Sequence, residues 1–168
     1  MKMLPSLILL IVFSAGAGCG RKSPSKLVGD KKDPAVVVER DDPVMLAAME
    51  KARETVGTFI DALRKPRAGQ RNFSVKTAFR DGEEEDHLWL TDLRYEDGQF
   101  VGRISNDPEL VKNVSMGDRH AVPAAEISDW MFIDEGKLVG GYSIRAVREQ
   151  MPADERAEFD SDFGALIE

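Results

Sequence analysis

The hydrophobic positions of this chain change period several times, and each change predicts an element. From Asp42 onward, Met45, Met49, Ala52, Val56, Phe59, Ile60 and Leu63 recur at intervals of three and four, which is one face of an α-helix. Asp42-Pro43 reads as an N-cap followed by proline at the first helical position, and Pro66 and Gly69 stop the helix. The period then drops to two. Phe73, Val75, Thr77 and Phe79 alternate with Ser74, Lys76, Ala78 and Arg80, the pattern of a half-buried strand. Asp81 to Asp86 reads as a solvated acidic hairpin loop, His87 to Tyr95 as a second strand, and Asp97-Gly98 as a tight turn into a third, Phe100 to Ser105. After turns at Asn106–Glu109 and Gly117-Asp118, His120–Val122 and Ile127 to Ile133 predict two more short strands.

Gly136, Gly140 and Gly141 punctuate the next reversal. Ser143 is placed to cap a helix running through Gln150, with Ile144, Val147 and Met151 on one face; Pro152 ends it. Ala153 to Phe159 predicts a small acidic helix before a frayed end. The expected fold is α+β: a long N-terminal amphipathic helix packed on an antiparallel sheet of about five short strands, with short C-terminal helices. One globular domain, residues 42–168, holds all of it.

The residues before Asp42 follow a different logic. Lys2 supplies a positive start, Leu4 to Phe13 is almost wholly apolar, and Ser14, Ala15, Gly16, Ala17 and Gly18 lead to Cys19. A charged start, a short apolar stretch and a small-residue exit make a secretory signal, too short for a helix that spans a bilayer. Cys19 is the only cysteine in the chain, so it has no internal disulfide partner. Ala17-Gly18-Cys19 resembles the bacterial lipobox, whose cysteine is acylated, palmitate included, and becomes the new N-terminus; Gly16 stands where that pattern prefers leucine. The alternative is an ordinary signal peptide with an incidental cysteine. Residues 1–18 are therefore expected to be a lipoprotein signal peptide. Residues 19–41, rich in Lys, Asp, Ser and Pro, are expected to be a flexible tether, in which Val36–Val38 forms either a short strand or part of a solvated linker. The expected location is the bacterial cell envelope, at the outer membrane or an extracytoplasmic face, with the membrane as partner through the lipid on Cys19.

Charge narrows the partners further. The formal net charge is −7, and the basic residues form no stripe along the sequence, which argues against nucleic acid. Catalytic constellations are thin. A zinc site would need both histidines, His87 and His120, with carboxylates such as Asp86 or Asp118, and no close His pair exists. The acidic turn lacks calcium-loop spacing, Ser143 lacks a nucleophile elbow, and Gly140-Gly141 lacks a phosphate-loop lysine. No metal, cofactor or catalytic residue is expected.

The densest run of unusual residues lies between Asp129 and Arg145. Asp129, Trp130, Gly140, Gly141, Tyr142 and Arg145 would form a binding surface for an anionic or peptide partner if gathered in the open. Buried with satisfied partners, they would be structural. Arg145 opens a helix, where the dipole favours acids, which hints at a carboxylate partner or an anionic ligand. Two classes of function follow. One is a non-catalytic binding or interaction module of the envelope, an immunity-like, toxin-neutralising protein being one version. The other is an envelope hydrolase using Asp129 or His120 with water.

Several runs carry a family resemblance. Asp42-Pro43 with the helix to Leu63, Asn72-Phe73-Ser74-Val75-Lys76, His87-Leu88-Trp89-Leu90 and Gly102-Arg103-Ile104-Ser105-Asn106-Asp107-Pro108 are the first blocks. Gly117-Asp118, Ile127-Ser128-Asp129-Trp130-Met131-Phe132 and Gly136 through Arg145 complete them. Together they resemble the YegJ-like bacterial family, domain of unknown function 2314, across residues 42–151. The resemblance implies a single domain and assigns no activity.

Overall fold

A computed structural model describes residues 42–168, together with two three-residue strands, β1 (Leu7–Leu9) and β2 (Val36–Val38), paired antiparallel with Leu7 opposite Val38. Of the two readings of the valine triplet, the strand is the one found. Cys19 and the rest of the expected signal peptide and tether lie outside the described residues.

Helix α1 runs Pro43–Arg64. Asp42 caps it as expected: Oδ1 accepts the backbone N–H groups of Val44 and Met45 at 2.8 and 2.9 Å. Six strands follow: β3 (Gln70–Asp81), β4 (Glu84–Glu96), β5 (Gln99–Ile104), β6 (Arg119–Pro123), β7 (Ile127–Asp134) and β8 (Lys137–Gly140). They form one antiparallel sheet in the order β6-β5-β4-β3-β7-β8. Helices α2 (Tyr142–Gln150) and α3 (Ala153–Phe163) close the chain.

Helices and sheet bury two apolar layers. Phe59 and Ala52 of α1 pack with Val75, Leu88, Leu90, Phe100, Trp130 and Phe132 on one face. On the opposite face Trp89, Met131, Ile133 and Leu138 meet Ile144 of α2 and, after it, Phe163 and Ile167. Every residue of β7 from Ile127 to Ile133 is buried, since both of its faces are covered.

The α+β class stands, and four details of the expectation are corrected. The main sheet has six strands, because Lys137–Gly140, read as glycine punctuation, pairs with β7. β3 and β4 are long, at 12 and 13 residues. The acidic loop shrinks to a two-residue turn at Gly82-Glu83, so Glu85 and Asp86 are buried within β4. The end is not frayed: the backbone of Leu166 exchanges hydrogen bonds with Leu138 and Gly136, and Ile167 is buried.

Two backbone features fix the geometry around these strands. Asp97 and Gly98 both have positive φ, 49° and 79°, the primed turn of a two-residue hairpin. Asp86 Oδ2 accepts three successive N–H groups, from Glu109, Leu110 and Val111, and so pins the long β5–β6 connection to the sheet.

Candidate functional site

Asp129 and Trp130 are neighbours on a strand, so their side chains leave opposite faces of the sheet. Trp130 enters the α1 layer, where its indole Nε1 donates to the carbonyl of Ala52 at 2.9 Å. Gly140 answers to that indole and Gly141 to the Leu138 side chain. Both have positive φ, and a Cβ on Gly140 would stand 2.3 Å from the Trp130 carbonyl oxygen and 2.5 Å from its ring. The double glycine lets β8 turn into α2 directly against Trp130. Tyr142 stands edge-on to the indole, its ring centroid 5.7 Å away, and its hydroxyl lies 2.9 Å from Thr55 Oγ1 on α1.

Asp129 is fully buried and gives its carboxylate to α2. Oδ1 accepts from the N–H groups of Trp130 (2.8 Å) and Tyr142 (3.1 Å). Oδ2 accepts from Ser143 N–H (2.8 Å) and Ser143 Oγ–H (2.6 Å). The expected cap is thereby corrected: Gly141, in the left-handed region, occupies the N-cap position, and the acceptor comes from β7. Ser143 lies within the first turn, two residues past the cap, and donates to that acceptor. Burial pushes the Asp129 carboxyl up, while the Ser143 and Trp130 donors and the Lys76 ammonium pull it down.

Arg145 points along the start of α2 and spends its fork on main-chain oxygens. Nε donates to Gly140 (3.0 Å), Nη2 to Leu138 (2.8 Å) and Nη1 to Glu168. It therefore laces β8 and the C-terminal residues to α2, and these carbonyls resolve the conflict with the helix dipole.

The structure also assembles a polar cluster on the Asp129 face that periodicity leaves out. Lys76 stands opposite Asp129 on one side and Trp89 on the other. It is fully buried, its Nζ lies 5.4 Å from the Trp89 ring centroid, and it has no hydrogen-bond acceptor among the described residues. Burial lowers its pKa to about 7, against the pull of Asp129. On β4, His87 Nδ1 lies 2.9 Å from Ser128 Oγ and Nε2 lies 3.6 Å from Glu85 Oε1. Burial also lowers the His87 pKa, with Glu85 opposing. Glu85 is drawn down to about 2 by His87 and by its contact with Arg80.

The order Ser128–His87–Glu85 is that of a nucleophile, base and orienting acid. Ser128 is 3% exposed, however, and its Oγ is engaged with His87 inside the fold. The trio ties β7 to β4 across β3. Periodicity assigns Lys76 to a solvated face; the clue it overlooks is the apolar set Phe159, Phe163 and Ile167, which needs a second sheet face to cover.

His120 is on edge strand β6, its ring tilted against that of Phe79 with centroids 4.7 Å apart. His120, two residues from Val122, shares the α1 face with Phe79, whereas Asp129 leaves the opposite face. Asp129 and His120 therefore do not meet, and among the described residues no three His, Cys, Asp or Glu side chains gather where an ion would bind.

The same blocks decide the family. Residues 42–166 match the model of DUF2314, described as an uncharacterized protein conserved in bacteria. The chain belongs to the DUF2314 family. It is similar to the uncharacterized protein YegJ of Escherichia coli K12, with 34% identity over 152 residues, 90% of this chain and 92% of that protein. It is also similar to a putative ankyrin repeat protein of Neisseria meningitidis serogroup B, with 38% identity over 136 residues, 76% of this chain and 53% of that protein. No solved structure matches. The bonds of Asp129, Trp130, Gly140 and Arg145 are thus part of how this DUF2314 domain is built.

Proposed function

We propose that this chain is a lipid-anchored envelope protein whose DUF2314 domain is a non-catalytic binding module. The carrying observation is Cys19, the sole cysteine, at the exit of an apolar N-terminal stretch and joined by a polar segment to a domain that begins at Asp42. Similarity to YegJ covers 90% of the chain, more than the residues from Asp42 onward can supply, so it extends into that leading segment. Among the described residues no helix is long and apolar enough to cross a membrane; in this reading two or more acyl chains on Cys19 supply a stable anchor. The mature chain, cleaved before Cys19, loses Lys2 and becomes more acidic still, so anionic head groups repel the domain as a whole.

The non-catalytic half of the reading draws on consumption of the reactive groups. The Asp129 carboxylate, His87 and Ser128 are all engaged inside the fold. The hydrolase alternative through Asp129 or His120 lacks a shared cleft. In the meningococcal relative the same domain is joined to sequence of comparable length, as suits a module that serves different attachments. Neutralising an envelope toxin is a special case of the same binding role.

Metabolic labelling with an alkyne palmitate tests the anchor. Label should enter the wild type and fractionate with membranes. Cys19→Ser should abolish labelling and release the protein or stall its precursor. Wild-type protein that is exported, unlabelled and wholly soluble overturns the reading.

A further inference from the structure

The two edges of the sheet are treated differently. On β8 the backbone of Leu166 takes the outer positions, and Lys137 and Glu168 pair above it at 2.6 Å. On β6 the outer edge of Arg119–Ala121 has no strand beside it among the described residues, and all three residues are exposed. Among the described residues the adjoining sheet face is uncovered as well. Arg103, Arg119 and Ala121 are exposed there, on the side opposite the α1 layer.

On that bare face Arg103 and Arg119 are direct cross-strand partners. Like charges in that position repel, at a cost of about 0.2–1 kcal/mol. Neither guanidinium has a carboxylate partner: Arg103 donates to the Gly117 carbonyl at 2.9 Å, and Arg119 has no polar contact among the described residues. The nearest acid in sequence, Asp118, accepts from the Ser115 N–H instead. Arg94, further along β4, is already matched by Glu96. In a chain of net charge −7, two opposed and uncompensated arginines beside an open strand edge are a local reversal of sign.

We propose that β5 and β6 form a docking surface for an acidic, extended segment of a partner protein. The segment adds to the free edge of β6, supplying main-chain hydrogen bonds, and its alternate side chains place carboxylates on Arg119 and Arg103. Planar guanidinium forks suit carboxylates, which also relieve the repulsion between the two arginines. The proposal gives the binding module its partner class and rests on that reading, although the surface stands whether or not Cys19 is acylated.

The test uses the full chain carrying Cys19→Ser, isotope-labelled and titrated with a short peptide of alternating glutamate and threonine. A lysine-for-glutamate peptide and vesicles containing phosphatidylglycerol are the other arms. Amide shifts should be confined to β5, β6 and the Gly117 turn. Arg119→Glu, which breaks no bond in the fold, should weaken binding about tenfold or more. Shifts scattered over the domain, equal binding of the lysine peptide, full retention in Arg119→Glu, or response to the vesicles alone overturns the proposal. An acylated protein that ignores the acidic peptide sinks this surface and leaves the anchor standing; the converse result sinks the anchor alone.

Discussion

Replacing Lys76 by methionine should stabilise the protein, and by an amount that depends on pH. An unfolded lysine titrates at about 10.5, whereas burial brings Lys76 to about 7. The folded state therefore disfavours the proton, and each unit of difference is worth about 1.4 kcal/mol. Below pH 7 both states hold the proton, and the charged form costs the fold about 5 kcal/mol. Between pH 7 and 10.5 the unfolded chain binds more protons, so stability rises with pH; at pH 9 the cost has fallen to about 2 kcal/mol. Methionine keeps most of the stem's packing against Trp89 and removes the charge. The carboxylate left behind on Asp129 retains its four donors. Urea unfolding at pH 6 and pH 9 measures the effect. Wild type should gain about 3 kcal/mol from this residue between the two, and Lys76→Met should lose that slope and exceed wild type most at pH 6. A variant less stable than wild type at pH 6, or one with the same slope, would refute the reasoning by showing the ammonium to be a net asset.

Two further substitutions probe the α2 junction. Asp129→Asn turns an amide N–H₂ toward the Ser143 donors or forfeits one acceptor, and should cost about 2–4 kcal/mol in urea unfolding, with faster hydrogen exchange at Ser143 to Val147. Unchanged exchange there would remove Asp129 as the cap. Arg145→Ala frees the Leu138, Gly140 and Glu168 carbonyls and should lower stability by about 1.5–3 kcal/mol, with earlier proteolysis after Phe163; an unchanged melting temperature would mean that these contacts contribute nothing.

The legible parts of the fold were those whose signals are local. The Asp42-Pro43 cap, the three-and-four spacing from Met45 to Leu63, and the Asp97-Gly98 turn each lie within a few residues and translate directly into geometry. β8 was hidden because its four residues sit between glycine turns and show no alternation. The Asp129 cap was hidden because Asp129 reaches Ser143 across 14 positions and out of a strand, whereas Ser143 offered a nearer cap candidate. Lys76 was misplaced for a related reason: alternation distinguishes two faces of a strand but does not say whether one is wet. The unusual composition of Asp129 to Arg145 was visible in advance, as was the choice it posed between open surface and interior. Only the three-dimensional contacts show Trp130 taking the Ala52 carbonyl. Arg103 and Arg119 lie far apart in the chain, and only strand register makes them neighbours.

The pairing of β3 has a kinetic consequence. One side of this strand is filled by β4 through a two-residue turn, which forms in microseconds, but the other waits for β7, about 50 residues later. Helix α2 waits as well, since its nine residues are too few to persist alone and its cap is carried by β7. Arrival of β7 therefore completes the pairing of β3, supplies the indole that α1 packs against and nucleates α2 in a single event. A chain halted before Ile127 holds a four-stranded meander and an amphipathic helix with no finished core, open to chaperones and still able to be threaded; one that extends through Ile167 can commit to its native state.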